Sequence, residues 1–157
     1  MASLGFKQFM DTTVLELGSG ASPLASMTAA LLGARRVLVT DGSQRSLSLA
    51  RTNAVRNLPS ATAERLHFQT LMWGDAEGAR ALQSQLQHRP IDMIVAADVL
   101  YEEAACTLLA DTIDALASAG TEVYIAHQVR LHSFETTFFD DLADVRGFRV
   151  ERVVRTV

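Results

Sequence analysis

The sequence predicts an α/β fold: a mainly parallel sheet of about six strands with helices on both faces, in a single domain. Three observations carry this. Short apolar or β-branched runs alternate with helical repeats almost without exception along the 157 residues. The first two runs end in turns that open at once into a helical pattern, at Gly18-Ser19-Gly20 and at Asp41-Gly42. No internal repeat, low-complexity stretch or interdomain linker interrupts the chain.

Val14 to Leu17 is apolar and bounded by turn signals, so it reads as a buried strand. Ser22 and Pro23 suit an N-cap and first-turn pair for a helix whose face is Leu24, Met27, Thr28 and Leu31, ended by Gly33. Val37 to Thr40 is the second strand. Ser43 caps the next helix, with Leu47, Ala50, Ala54 and Leu58 on one face and Asn57 and Pro59 at its end. Leu66 to Trp73 is a third strand candidate, and Ala76 to Gln87 a short helix. Ile91 to Leu100 is the most buried-looking strand, with Asp98 near its carboxyl end. Leu108, Leu109, Ile113 and Leu116 mark the helix that Gly120 closes. Val123 to Ala126 is a fifth strand, Phe134, Phe138 and Leu142 a helix, and Phe148 to Val154 a sixth strand.

Composition narrows the classes. A net charge of -4 offers no basic footprint for nucleic acid. No apolar run approaches the roughly 20 residues of a membrane span, and Met1 to Asp11 lacks the apolar region of a secretory signal. The expected location is cytoplasmic, with the nucleus as the second compartment. The single cysteine, Cys106, sits among Ala104, Ala105 and Leu108 and reads as a buried small hydrophobe. His67, His88, His127 and His132 show no metal spacing, so no metal site is expected.

In such a fold a ligand sits beyond the carboxyl ends of the strands, where strand order reverses. Gly18 and Gly20 allow backbone angles and close approach that a side chain would block. Asp41, 21 residues beyond Gly20, can accept both hydroxyls of a ribose. A dinucleotide turn asks for a third glycine; here that position is Pro23. Glu16 places a charge before the turn that is unfavourable near a diphosphate and tolerable near an aminoacyl group. The pattern leans to a nucleoside cofactor without phosphate, S-adenosylmethionine.

VLELGSGA, VLVTDG, MWGD and VAADVLY, in this order and spacing, resemble a class I (seven-β-strand) S-adenosylmethionine-dependent methyltransferase with its Rossmann-like, doubly wound sheet. Within that class they are similar to the protein-lysine methyltransferase family that carries Asp-x-x-Tyr after the fourth strand. Residues 91–130 are most similar to members acting on a translation elongation factor. The resemblance implies cofactor contacts from Glu16, Gly18, Ser19, Gly20, Asp41, Gly42, Trp73 and Ala97, with Trp73 beside the adenine. It implies that Asp98 and Tyr101 face the acceptor amine. Arg130 is a further candidate for touching substrate, and Glu102 and Glu103 read as first-turn acids that favour the helix dipole.

The expected organisation is a methyltransferase domain over 1–157, with a short N-terminal extension over 1–13 and the cofactor-binding core over 14–153. Family members carry a longer segment before the first strand and a further last strand; a chain lacking both is expected to be a fragment, a splice form, or a homodimer completing the sheet. The expected partner is a protein substrate, with a translation factor as one candidate. An arginine or small-molecule acceptor, or a non-catalytic S-adenosylmethionine-binding scaffold, are the alternatives.

Overall fold

Strand β1 (Thr13–Leu17) is buried along its whole length and forms the middle of the sheet. The computed structural model describes residues 8–129 and 132–153. After β1 come α1 (Leu24–Leu31), β2 (Arg36–Asp41), α2 (Gln44–Asn57), the single turn α3 (Ser60–Ala63), β3 (Leu66–Thr70), α4 (Ala76–Gln85), β4 (Met93–Ala97), α5 (Glu103–Leu116), β5 (Glu122–Ala126) and α6 (His132–Asp140). A π-helical turn over Asp141–Val145 extends α6. The sheet has five strands, all parallel, in the order β3-β2-β1-β4-β5.

Register explains why the apolar runs are nearly unbroken. Leu15 pairs with Leu38 on one side and Ile94 on the other, so these side chains share a face. With Leu17 and Ala96 they pack against Leu82 of α4 and Leu109 and Ile113 of α5. Val14, Val37, Val39 and Met93 point the other way, onto Ala29 and Ala30 of α1 and Leu47 and Ala54 of α2. Each fully buried Leu or Ile contributes about 1.5–3 kcal/mol. A slip of one residue would exchange the two faces of every strand, and neither helical layer would meet its partners.

Several boundaries differ from the sequence reading. The third strand stops at Thr70, and Leu71 to Asp75 form the loop into α4, whose N-cap is Asp75: its Oδ1 accepts from the N–H of Glu77 (3.1 Å) and Gly78 (3.0 Å). The fourth spans Met93–Ala97, leaving Asp98 to Leu100 as a turn. Ser22 does not cap α1: the N-cap position falls on Pro23, with no side-chain bond there. Ser43 caps α2 as expected, its Oγ accepting from Ser46 N–H at 3.2 Å.

The sixth strand is a correction. Residues 148–153 carry no regular structure, and Val154 lies outside the described residues. Phe148 packs on the core, but Arg149 to Val153 are exposed and pair with no strand. Alternation supplied one anchor and no neighbour to complete a ladder. The end of α6 is fixed instead by Arg146, which bonds Asp141 (2.6 Å) and Asp111 of α5 (2.8 Å).

Candidate active site

The carboxyl ends of β1, β2 and β4 converge on one rim, at the switch between β1 and β4. Gly18 (φ +69°) and Gly20 (φ +59°) both occupy the left-handed region, which is why glycine stands at each. Three bonds hold the turn between them. Ser19 N–H donates to Thr40 O (2.9 Å), Gly20 N–H donates to Asp41 Oδ2 (2.9 Å), and Asn53 of α2 donates to Ala21 O (2.8 Å). Asp41 Oδ1 accepts from Ser43 N–H at 2.8 Å, so both carboxylate oxygens are oriented by backbone donors.

Glu16 lies beneath the turn, 4% exposed, with Oε2 accepting from Ser26 N–H at 3.1 Å. That N–H belongs to the first turn of α1, which no side chain caps at Pro23. An acid on the neighbouring strand thus takes over a cap's work, which the motif alone did not reveal. Burial pushes the Glu16 carboxyl above its ordinary value of 4.5, with Ser26 acting in the opposite sense and Asp41 adding to the rise. The folded protein therefore keeps this proton where the unfolded chain has released it. The stability so contributed is complete below about pH 4.5 and is lost as pH rises through the folded value. Glu16→Gln, which retains an acceptor for Ser26, is expected to melt higher than wild type at about pH 8 and to lose that advantage towards about pH 4. Melting temperatures across that range check it; a gap independent of pH contradicts it.

Trp73 stands half-buried over Gly18: a Cβ on Gly18 would lie 2.9 Å from Trp73 Cζ2 and 3.1 Å from Val99 Cγ1. Its ring also approaches Tyr101, with centroids 6.4 Å apart and planes at 46°. Tyr101 is 60% exposed on the same rim. Ala97 ends β4 in register with Ala126, and Asp98 follows in the left-handed region (φ +57°), its N–H donating to Ala126 O at 2.7 Å. The N-cap of α5 is Glu102, not Asp98, and Glu103 lies in the first turn as expected. Gly42 lies further out, against the exposed Met72, whose Sδ would be 2.6 Å from an added Cβ. Arg130 lies outside the described residues.

Two further residues contribute in ways the motifs do not show. Met72, beside Trp73, is an apolar side chain left exposed at the rim. Thr112 of α5, 3% exposed, accepts from Gly74 N–H at 2.8 Å and donates to Leu108 O at 2.8 Å. Gly74 (φ +81°) is crowded by Leu108, so the loop bearing Trp73 is seated on α5. Thr112→Val keeps the volume and strands Gly74 N–H, with an expected cost of about 1–3 kcal/mol. Because Trp73 is the chain's only tryptophan, its emission reports the seating directly. It is expected to shift in Thr112→Val and to return in Thr112→Ser; unchanged emission in the valine variant rules out this support.

Solved structures share this architecture. A ribosomal protein L11 methylase from Lactobacillus delbrueckii subsp. bulgaricus aligns over 98% of this chain and 70% of its own, with a TM-score of 0.65 at 21% identity. A TehB-like S-adenosylmethionine-dependent methyltransferase from Corynebacterium glutamicum covers 90% of this chain and 68% of its own, with a TM-score of 0.61 at 16% identity. The fold is therefore that of the Rossmann-like methyltransferases.

The family follows from sequence. A family model described as lysine methyltransferase matches residues 1–145, and the chain belongs to that family. Among its relatives, the protein N-terminal and lysine N-methyltransferase efm7 of Neurospora crassa is 28% identical over 93% of this chain and 56% of its own length. The protein N-lysine methyltransferase METTL21A of Mus musculus is 31% identical over 96% of this chain and 63% of its own. The chain spans roughly half to two thirds of the length of these two relatives. Among the described residues no cluster of metal-ligating side chains occurs, and no helix is long and apolar enough to cross a membrane.

Proposed function

We propose that the chain is an S-adenosylmethionine-dependent methyltransferase acting on the side-chain nitrogen of a lysine in a protein substrate. One observation carries the reading: the glycine turn, the oriented Asp41 carboxylate, the Trp73 indole and the Asp98–Tyr101 segment meet on a single rim.

The residues present suit that cofactor. Each Asp41 oxygen receives one backbone N–H and keeps lone pairs for the hydroxyls of a ribose. A Cβ on Gly20 would meet nothing within 4 Å, so the space over the turn is open. Asp41 and, beneath the turn, the buried Glu16 are acids, and neither offers the positive charge a phosphate would want. Ser19 and Gly42 complete the floor, and Ala97 leaves room beside it. When bound, the cofactor supplies a methyl group already activated on a sulfonium.

Asp98 and Tyr101 do the remaining work. Free lysine has a pKa of about 10.4 and arrives protonated, with no lone pair to offer. Asp98 pairs with the ammonium and fixes its line of approach. A carboxylate favours the charged form, so Asp98 aligns the amine and does not itself deprotonate it. The proton passes to water as the amine enters the slot walled by Tyr101 and Trp73. Tyr101 Oη then accepts an N–H of the neutral amine, leaving the nitrogen lone pair free for the transfer, and alignment accounts for most of the rate.

The resemblance over residues 91–130 supports a translation factor as the substrate, and with it a cytoplasmic site of action. The test is transfer of labelled methyl from S-adenosylmethionine into a cell lysate, followed by mass spectrometry of the modified residue. Label on a lysine is expected. Label on arginine or a small molecule changes the acceptor, and calorimetric binding of NAD in place of S-adenosylmethionine ends the proposal.

A further inference from the structure

The opposite pole of the sheet holds a second concavity, of about 360 Å³, lined by Thr13, Arg35, Arg36, His67, Leu86 and Arg89. It lies at the amino ends of β1, β2 and β3, whereas the site above lies at the carboxyl ends. Thr13 pairs with Arg36, and Leu38 with His67, in the sheet register, so Arg36 and His67 project on the same face as Leu38, towards α4. Leu86, the C-cap of α4, and Thr13 are buried and form the floor. Arg35, Arg36 and Arg89 form the walls.

We propose that this concavity binds a phosphate monoester, the phosphate seated between Arg36 and Arg89 and the attached group over Leu86.

Charge balance is the argument. Among the described residues, of the three arginines only Arg35 has an ion pair, with Asp11 at 3.5 Å, and its guanidinium also donates to Thr13 Oγ1 at 3.4 Å. Arg36 and Arg89 have no ion pair among the described residues, and Arg36 Nε is buried without a hydrogen-bond partner. Asp92, immediately before the adjoining β4, is turned to Thr13 N–H (2.7 Å). The C-terminal turn of α4 adds about half a negative charge, too little to offset two guanidinium groups. His67 is held below its ordinary 6.5 by burial and by Arg36, so it adds no charge of its own near neutral pH. Guanidinium forks match phosphate oxygens in pairs. The volume exceeds what inorganic phosphate needs and falls within the range of small-molecule sites.

The test is NMR titration of the full chain with inorganic phosphate and, separately, with adenosine monophosphate, at constant ionic strength against chloride. Both are expected to shift the His67 ring and raise its pKa, with the ester binding more tightly than the ion. Arg89→Gln, in an exposed loop, is expected to weaken both by about tenfold or more, and Arg36→Gln likewise if it folds. Shifts equal to those in chloride, or affinity unchanged in Arg89→Gln, overturn the proposal. Binding of inorganic phosphate alone overturns the ester assignment. Addition of S-adenosylmethionine is expected to leave the His67 shifts in place; their displacement would assign the ligand to the other pole.

Discussion

Replacing Asp98 by asparagine is expected to lower methyl transfer by about 100- to 1,000-fold, with folding and cofactor affinity intact. The choice of asparagine is physical. Asp98 sits at φ +57°, where most side chains cost about 1–2 kcal/mol and Asn and Asp are tolerated best. Alanine would mix strain with loss of the carboxylate; asparagine removes the charge and keeps the backbone and shape. The amine then loses its counter-charge during approach, so turnover falls while calorimetry with S-adenosylmethionine is unchanged. Normal turnover in Asp98→Asn would remove the residue from the reaction. Loss of cofactor affinity together with turnover would reassign it to the cofactor side.

Asp41→Ala is expected to weaken S-adenosylmethionine binding by about 100-fold or more. Two hydrogen bonds to a charged acceptor would be lost on the ligand side, each worth about 1.5–3 kcal/mol, and every 1.4 kcal/mol is tenfold. The Gly20 and Ser43 N–H groups lose their acceptor as well, so the turn itself loosens. Asp41→Asn keeps one oxygen and is expected to fall between. The readout is calorimetric affinity beside turnover at saturating cofactor: affinity drops much further than the saturated rate. A lowered melting temperature with unaltered affinity would confine Asp41 to holding the turn.

The central sheet was legible because its physics is local. Leu15, Leu17, Leu38 and Ile94 are buried in the same phase in which they alternate, and Gly18 and Gly20 announce a turn that only glycine makes easily. Asp41 was legible as a neighbour of that turn because it ends β2, beside β1, and its carboxylate takes the Gly20 N–H. The limits are equally physical. Phe148 to Val154 alternates well enough for a strand, but alternation says nothing about whether a neighbour exists to pair with. Trp73 reads as a strand end, yet the ladder with β2 stops at Thr70, and Trp73 lies in the loop that Gly74 seats on α5. The seating of Gly74 on Thr112 and the arginine-lined concavity depend on contacts between residues far apart in sequence. No window of the chain contains them.

β5 pairs with β4 on one side, and no other described strand lies beyond it. It also supplies the carbonyl that receives the Asp98 N–H. Edge strands exchange their amide protons through small local openings that cost far less than global unfolding. The acid proposed to meet the substrate is thus fastened to one of the least protected ladders of the sheet. Fraying of that ladder would loosen one of the bonds that orient it, so a contact along the outer side of β5 is expected to act on turnover as a brake or stay, some distance from the reacting atoms.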